Sequence, residues 1–270
     1  MLESIDPLTL AQRYHDAMPI RIREYLNHRG IIDDAIDLHL LGWNGERITI
    51  PIFDRDARLA FFKLAKDPLD RGQGPKMLVP GGTSAELYGW ERLRGKPPRI
   101  VICEGEFDRL ALESRGIAAV TSTGGAGVFR KEWTEDFLGI PEIYVCFDRD
   151  LAGTRGALRI ARWLPQIRIV ELPEEVGPGG DVTDLFVRLE WTRDNFLRLL
   201  EKSRPAPVDV SAAAPTRIAS KAAGTCRRTL FAAREHRTQI PARAPKFCRP
   251  HNRGATTFLS PFFGTTNSRS

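Results

Sequence analysis

Acidic side chains at two points of the chain have the type and spacing of an oxygen-donor site. The segment VICEGEFD places Glu104 directly after an apolar run, followed by Gly105 and Asp108, and YVCFDRD places Asp148 and Asp150 after a second apolar run, with Gly153 close behind. If the two segments meet, four negative charges share one crevice. Two unit charges 4 Å apart interact by about 4 kcal/mol at an effective dielectric near 20, so such a crevice calls for a cation, and carboxylate-only donors suit Mg²⁺ or Mn²⁺. Taken singly, each residue has a plainer reading. Asp108 would favour a helix dipole, and Asp148 or Asp150 would cap a helix starting near Ala152; the joint pattern is what points to a metal. Further on, GGDVTDLF offers Asp181 and Asp184 as ligands of a second metal, with capping of the next helix by Asp181 or Thr183 as the plainer alternative. The loop Thr123-Gly124-Gly125-Ala126-Gly127 lacks the GxxxxGK[ST] arrangement of a phosphate cradle, and a tight turn accounts for its glycines.

These carboxylates need elements to hold them. Apolar, β-rich runs at 100–103, 118–121, 143–147 and 167–170 alternate with helical patterns at 107–115, 131–138 and 152–164. That rhythm predicts a parallel sheet with right-handed crossovers, in which chemistry collects beyond the carboxyl ends of the strands. Glu104 and Asp148 both fall at such ends. Upstream, 7–40 reads as helical, and 47–54 with 57–65 reads as an antiparallel hairpin. Downstream, 191–200 forms a short amphipathic stretch that Pro205 and Pro207 bring to a stop.

Composition sets the class. The chain has 270 residues, 42% of them hydrophobic, enough for a real core. Its net charge of +6 is unevenly spread: 205–270 carries eleven Lys or Arg against Asp209 and Glu235, leaving the rest at −3. That last segment has no sustained period and is expected to be disordered. It serves either as a phosphate-binding arm or as a solvated appendage. Four cysteines with no paired CxxC exclude a disulfide scaffold and a zinc ribbon. Cys103 and Cys146 read as small buried hydrophobes, and Cys248 with His251 has only Cys226 and His236 as further ligands, at irregular distances. No export signal and no membrane-spanning run stands out, so a cytoplasmic protein without membrane contact is expected.

Glu104 with Gly105 and Asp108, and Asp148-Arg149-Asp150 followed by Ala152-Gly153, resemble the Toprim domain shared by bacterial-type DNA primases, type IA and type II topoisomerases and some nucleases. The resemblance covers about 98–190. Upstream, REYLNHRGI, RITIPIFDRDARLAFFKLA, GPKMLVPGG and ELYGWERL are similar to the amino-terminal part of the bacterial primase RNA polymerase core. The resemblance implies an α/β Toprim-type parallel sheet flanked by helices (98–204), preceded by a small α+β primase-like subdomain (1–97) and followed by the basic tail (205–270). It implies primer synthesis on a single-stranded DNA template from nucleoside triphosphates, with Glu104, Asp148 and Asp150 as catalytic residues. Glu104, Asp108, Asp148, Asp150, Asp181 and Asp184 would hold Mg²⁺ or Mn²⁺, and Arg47, Lys63 and Lys76 would grip template or triphosphate. The family's additional lysine before its LYG element is Thr83 here, no cysteine precedes Cys103, and no helicase-binding part follows. A reduced core of the phage or mobile-element kind is therefore expected, with a replicative helicase as a candidate partner. Two rivals stand beside it: a Toprim nuclease using water in the same crevice, and a catalytically silent nucleic-acid-binding remnant.

Overall fold

The computed structural model describes residues 6–207. The basic segment lies outside them from residue 208 onward, together with Cys226, His236, Cys248 and His251. Asp6 opens the first helix, α1 (Pro7–Asp16), by accepting the Thr9 N–H at 2.9 Å. Two further helices, α2 (Ile20–His28) and α3 (Asp33–Leu38), follow it. They pack Ile22, Leu26, Ala35 and Ile36 against an antiparallel sheet of β1 (Gly42–Trp43), β2 (Ile48–Phe53), β3 (Leu59–Ala65) and β4 (Met77–Leu78), in that order. The expected hairpin is the β2–β3 pair, with Ile50 opposite Lys63. Strand periodicity puts Lys63 on the same buried side of β3 as Phe61 and Ala65.

The second sheet begins with β5 (Leu87–Tyr88) and the short helix α4 (Trp90–Arg94). There follow β6 (Arg99–Cys103), α5 (Glu106–Glu113), β7 (Ala119–Ser122), β8 (Glu142–Cys146), α6 (Leu151–Ala161) and β9 (Arg168–Ile169). The described chain ends through α7 (Val182–Val187), α8 (Arg193–Lys202) and β10 (Arg204–Pro205). The strand order is β10-β9-β8-β6-β7-β5. The four inner strands are parallel, as expected, but β5 and β10 pair antiparallel at the two edges, so the sheet is mixed rather than parallel throughout. Both edge strands are two residues long, too short to show a period in sequence, and Pro205 withholds an amide from its exposed edge. The stretch 131–138, read as α-helical, winds as a 3-10 segment over Lys131–Phe137.

Alternation along the inner strands sorts their side chains into two apolar layers. Ile100, Ile102, Ile143 and Val145 pack with Ala157 and Ile160 of α6, while Val101, Cys103, Tyr144 and Cys146 pack with Ala111, Leu185 and Phe196 of α5, α7 and α8. Both cysteines are buried free thiols, as small hydrophobes should be. Among the described residues no helix is long and apolar enough to cross a membrane.

Arg109, fully buried in α5, ties that helix to β7, α4 and β5. Its Nε donates to the Ala119 carbonyl at 3.1 Å, its guanidinium pairs with Glu91, and the ring of Tyr88 lies 4.0 Å from it. Gly89, at φ +119°, leaves room for that side chain, because a Cβ there would lie 2.9 Å from Arg109 Nε. Arg109→Leu strips the buried acceptor of its donor and the aromatic ring of its cation. It is expected to lower unfolding free energy by about 2–4 kcal/mol, read from urea denaturation.

Candidate active site

The chain runs from β6 to β7 on one side and then returns to β8 on the other, so the switch point of the sheet lies between β6 and β8. Their register pairs Cys103 with Cys146. Glu104 and Asp148 leave the sheet just beyond that pair, and the amide of Asp148 points at Glu104 Oε2 from 3.4 Å. The Ala126 amide supports the same carboxylate. The glycine loop 123–127 therefore serves as a backbone rest for Glu104. Burial, with the charge of Asp150 adding to it, raises the Glu104 pKa.

Asp148 is the most perturbed carboxyl of the group. Burial first, then the charges of Glu104, Asp108, Asp181 and Asp150, push its pKa up to about 8. Asp150 does what an N-cap does: its Oδ1 accepts the Gly153 N–H at 2.7 Å and starts α6. Gly153 is required by contact, since a Cβ there would sit 2.3 Å from the Asp148 carbonyl oxygen. Asp108 is buried in the first turn of α5 and turns towards α7, where its Oδ1 accepts both the amide (3.1 Å) and the hydroxyl (2.8 Å) of Thr183. Burial and the nearby Asp181 charge raise its pKa against those two bonds.

Asp181 and Asp184 form a capping box at the start of α7, each accepting the other's backbone N–H. Arg29, from the end of α2, stands 3.8 Å from Asp181 Oδ2. Of the three cations expected to grip phosphates, Lys76 is exposed on the loop before β4, and Arg47 is buried with its Nη1 on the Pro75 carbonyl at 3.2 Å. Lys63 is buried too. Its ammonium donates to Glu106 Oε1 at 2.6 Å and to the Thr123 carbonyl at 2.7 Å. Sequence reasoning missed Glu106 and Arg29, and read Thr183 only as a candidate cap rather than as the partner of Asp108. Glu106 offered one signal, a carboxylate opening the helix directly after Gly105, but nothing named its partner.

Among the described residues, no three His, Cys, Asp or Glu side chains converge closely enough to form a ready metal cage. The donor chemistry nevertheless fits a hard cation. The Asp148 side chain accepts no hydrogen bond among the described residues, and burial first, then the neighbouring carboxylates, raise its pKa, a cost to the ionised form that a cation would relieve. A cavity of about 1020 Å³ borders Asp148 and Asp150, with Phe147, Leu158, Val170 and Leu172 among its walls.

Residues 99–172 match the Toprim domain family. The chain is 29% identical over 223 residues to the DNA primase of Legionella pneumophila, an alignment covering 73% of this chain and 37% of that protein. It is 33% identical over 117 residues to the gene 57 protein of Mycobacterium phage D29, covering 43% of this chain and 73% of that one. A DNA primase domain from Pseudomonas aeruginosa superposes with a TM-score of 0.58 at 25% identity, covering 73% of this chain and 77% of that chain. The chain thus spans little more than a third of the length of the Legionella primase.

The raised carboxyl makes stability depend on pH. Asp148 binds its proton more tightly folded (about 8) than at its ordinary value of 3.8, so ionisation is carried at a cost that grows as pH rises and is complete above pH 8. His39 has the opposite effect in a different window: burial holds its pKa down at about 2, so it destabilises the fold only as pH falls below 6.5. In chelator, the unfolding temperature is therefore expected to drop between about pH 6.5 and 8.5, and Asp148→Asn is expected to flatten that slope. A parent slope unchanged by the substitution would contradict the assignment.

Proposed function

The chain belongs to the Toprim-domain family and carries the fold of a primase RNA polymerase core, and on that premise we propose that it synthesises short RNA primers on single-stranded DNA. The observation that carries this reading is the meeting of Glu104 and Asp148 at the switch point, beyond two neighbouring parallel strands. A divalent cation, Mg²⁺ or Mn²⁺, held by Glu104, Asp148 and Asp150 would supply Lewis acidity to the attacking 3′-hydroxyl and to the departing pyrophosphate.

The chain's own groups do the positioning. Glu104 is fixed by the backbone amides of Asp148 and Ala126, and Asp150 fixes the start of α6 beside it. Asp108 holds α7 against α5 through Thr183 and keeps Asp181 nearby. Asp184 locks Asp181 in its cap and, with it, is the remaining oxygen-donor pair for a second cation. Exposed Lys76 would neutralise phosphate charge that the carboxylates repel, and buried Arg47, bonded to the Pro75 carbonyl, would add its positive field. Lys63 sets the Thr123 carbonyl, and so the loop that carries Ala126. Nucleoside triphosphates and a single-stranded template are the substrates this reading requires, and a replicative helicase is the partner that would present such a template.

Incorporation of labelled nucleotides on a mixed single-stranded template with Mn²⁺ tests it. Short RNA products are expected from the parent, and none from Glu104→Gln or Asp148→Asn at unchanged far-ultraviolet circular dichroism. Full activity in both variants would exclude this crevice. Shortened DNA in place of extended RNA would assign water as the nucleophile and make the protein a nuclease.

A further inference from the structure

Helix α6 starts at the crevice, where Asp150 caps it, and runs outward from there. Its sequence LAGTRGALRIA has no acidic residue. The buried side, Gly153, Gly156, Ala157 and Ile160, packs on the sheet, and Gly156 sits so close to the Glu104-supporting loop that a Cβ there would come within 2.8 Å of Ala126. The outward side carries Arg155 and Arg159, continued by Arg162 at the helix end, all exposed. At 100° per residue these three fall within about 60° of one another, along roughly 10 Å of axis.

Among the described residues, Arg155, Arg159 and Arg162 make no ion pair, and neither do exposed Arg130 and Lys131 on the adjoining loop. Arg159 instead donates to the Gly127 carbonyl, which joins the helix and that loop into one face. Along the chain the next acids after Lys131 are Glu132 and Glu135, on the 3-10 segment. A body whose net charge is −3 outside 205–270 thus concentrates an unopposed positive strip beside its most negative crevice.

We infer that the outer face of α6 is a phosphate track for a single-stranded nucleic-acid strand, leading the strand away from the Glu104–Asp148 crevice. Its occupant is fixed by charge: a polyanion with regularly spaced phosphates is complementary to a linear row of arginines. The track rests on the crevice being the reaction centre, but it is read by binding alone, in chelator, without turnover.

The test measures affinity of the full chain for a labelled single-stranded DNA oligonucleotide across a salt series, by fluorescence anisotropy. Arg155→Gln with Arg162→Gln leaves the Arg159–Gly127 bond in place. With about 0.7 counterions released per phosphate on single strands, that double variant is expected to lower the log–log salt slope by about 1.4. Affinity at low salt should fall about tenfold. Arg155→Lys with Arg162→Lys should keep the parent slope, and Leu158→Lys, adding a charge to the row, should steepen it by about 0.7. A double glutamine variant with parental slope and affinity overturns the track, as does an effect on duplex DNA alone. Loss of nucleotide incorporation in the parent protein would instead overturn the primer-synthesis reading and leave the binding result standing.

Discussion

Glu104 and Asp148 project from adjacent parallel strands locked in register at Cys103 and Cys146, and this forces two carboxylates into one half-buried crevice. Everything nearby either tolerates or offsets that repulsion. Backbone amides of Asp148 and Ala126 bond Glu104, Asp150 spends one oxygen on the α6 cap, and Thr183 satisfies Asp108. Asp148 receives none of this help, and burial, then the surrounding carboxylates, push its pKa up to about 8. A site that keeps one carboxyl so poorly compensated is prepared for a positive ligand that the fold itself does not provide.

Much of this was legible in the sequence, for physical reasons. The inner strands are covered on both faces, so they appear as uninterrupted apolar runs, and a residue just after such a run must sit at the carboxyl edge of the sheet. That logic located Glu104, Asp148 and Asp150 without any knowledge of their neighbours. The β2–β3 hairpin was legible from its alternation. The edge strands were not, because two residues have no period, and an edge in this sheet is defined by its partner rather than by its own side chains. The 3-10 winding of Lys131–Phe137 was also hidden, since its Trp133 and Phe137 fit a helical spacing equally well.

Partnerships between distant side chains were the other blind spot. Lys63 was legible as a basic residue on a strand, but its ammonium is held by Glu106, 43 residues away, and by the Thr123 carbonyl. The capping and metal-binding readings of Asp181 and Asp184 draw on the same short motif. The structure shows the cap, and its oxygens keep lone pairs that a cation could still use. Arg29 contributes a positive charge to that corner from a helix with no visible link to it in sequence. The buried Lys63–Glu106 pair holds the amino-terminal sheet against the mixed sheet, and a small error in its packing would move the crevice with it.

The most direct measurement is an anomalous difference map from crystals of the full chain soaked in Mn²⁺. The expected result is a peak within coordination reach of both Glu104 and Asp148, lost in Asp148→Asn crystals. A fully occupied Mn²⁺ elsewhere on the protein with no density at that crevice would contradict the claim that the meeting of these two carboxylates creates the reaction centre.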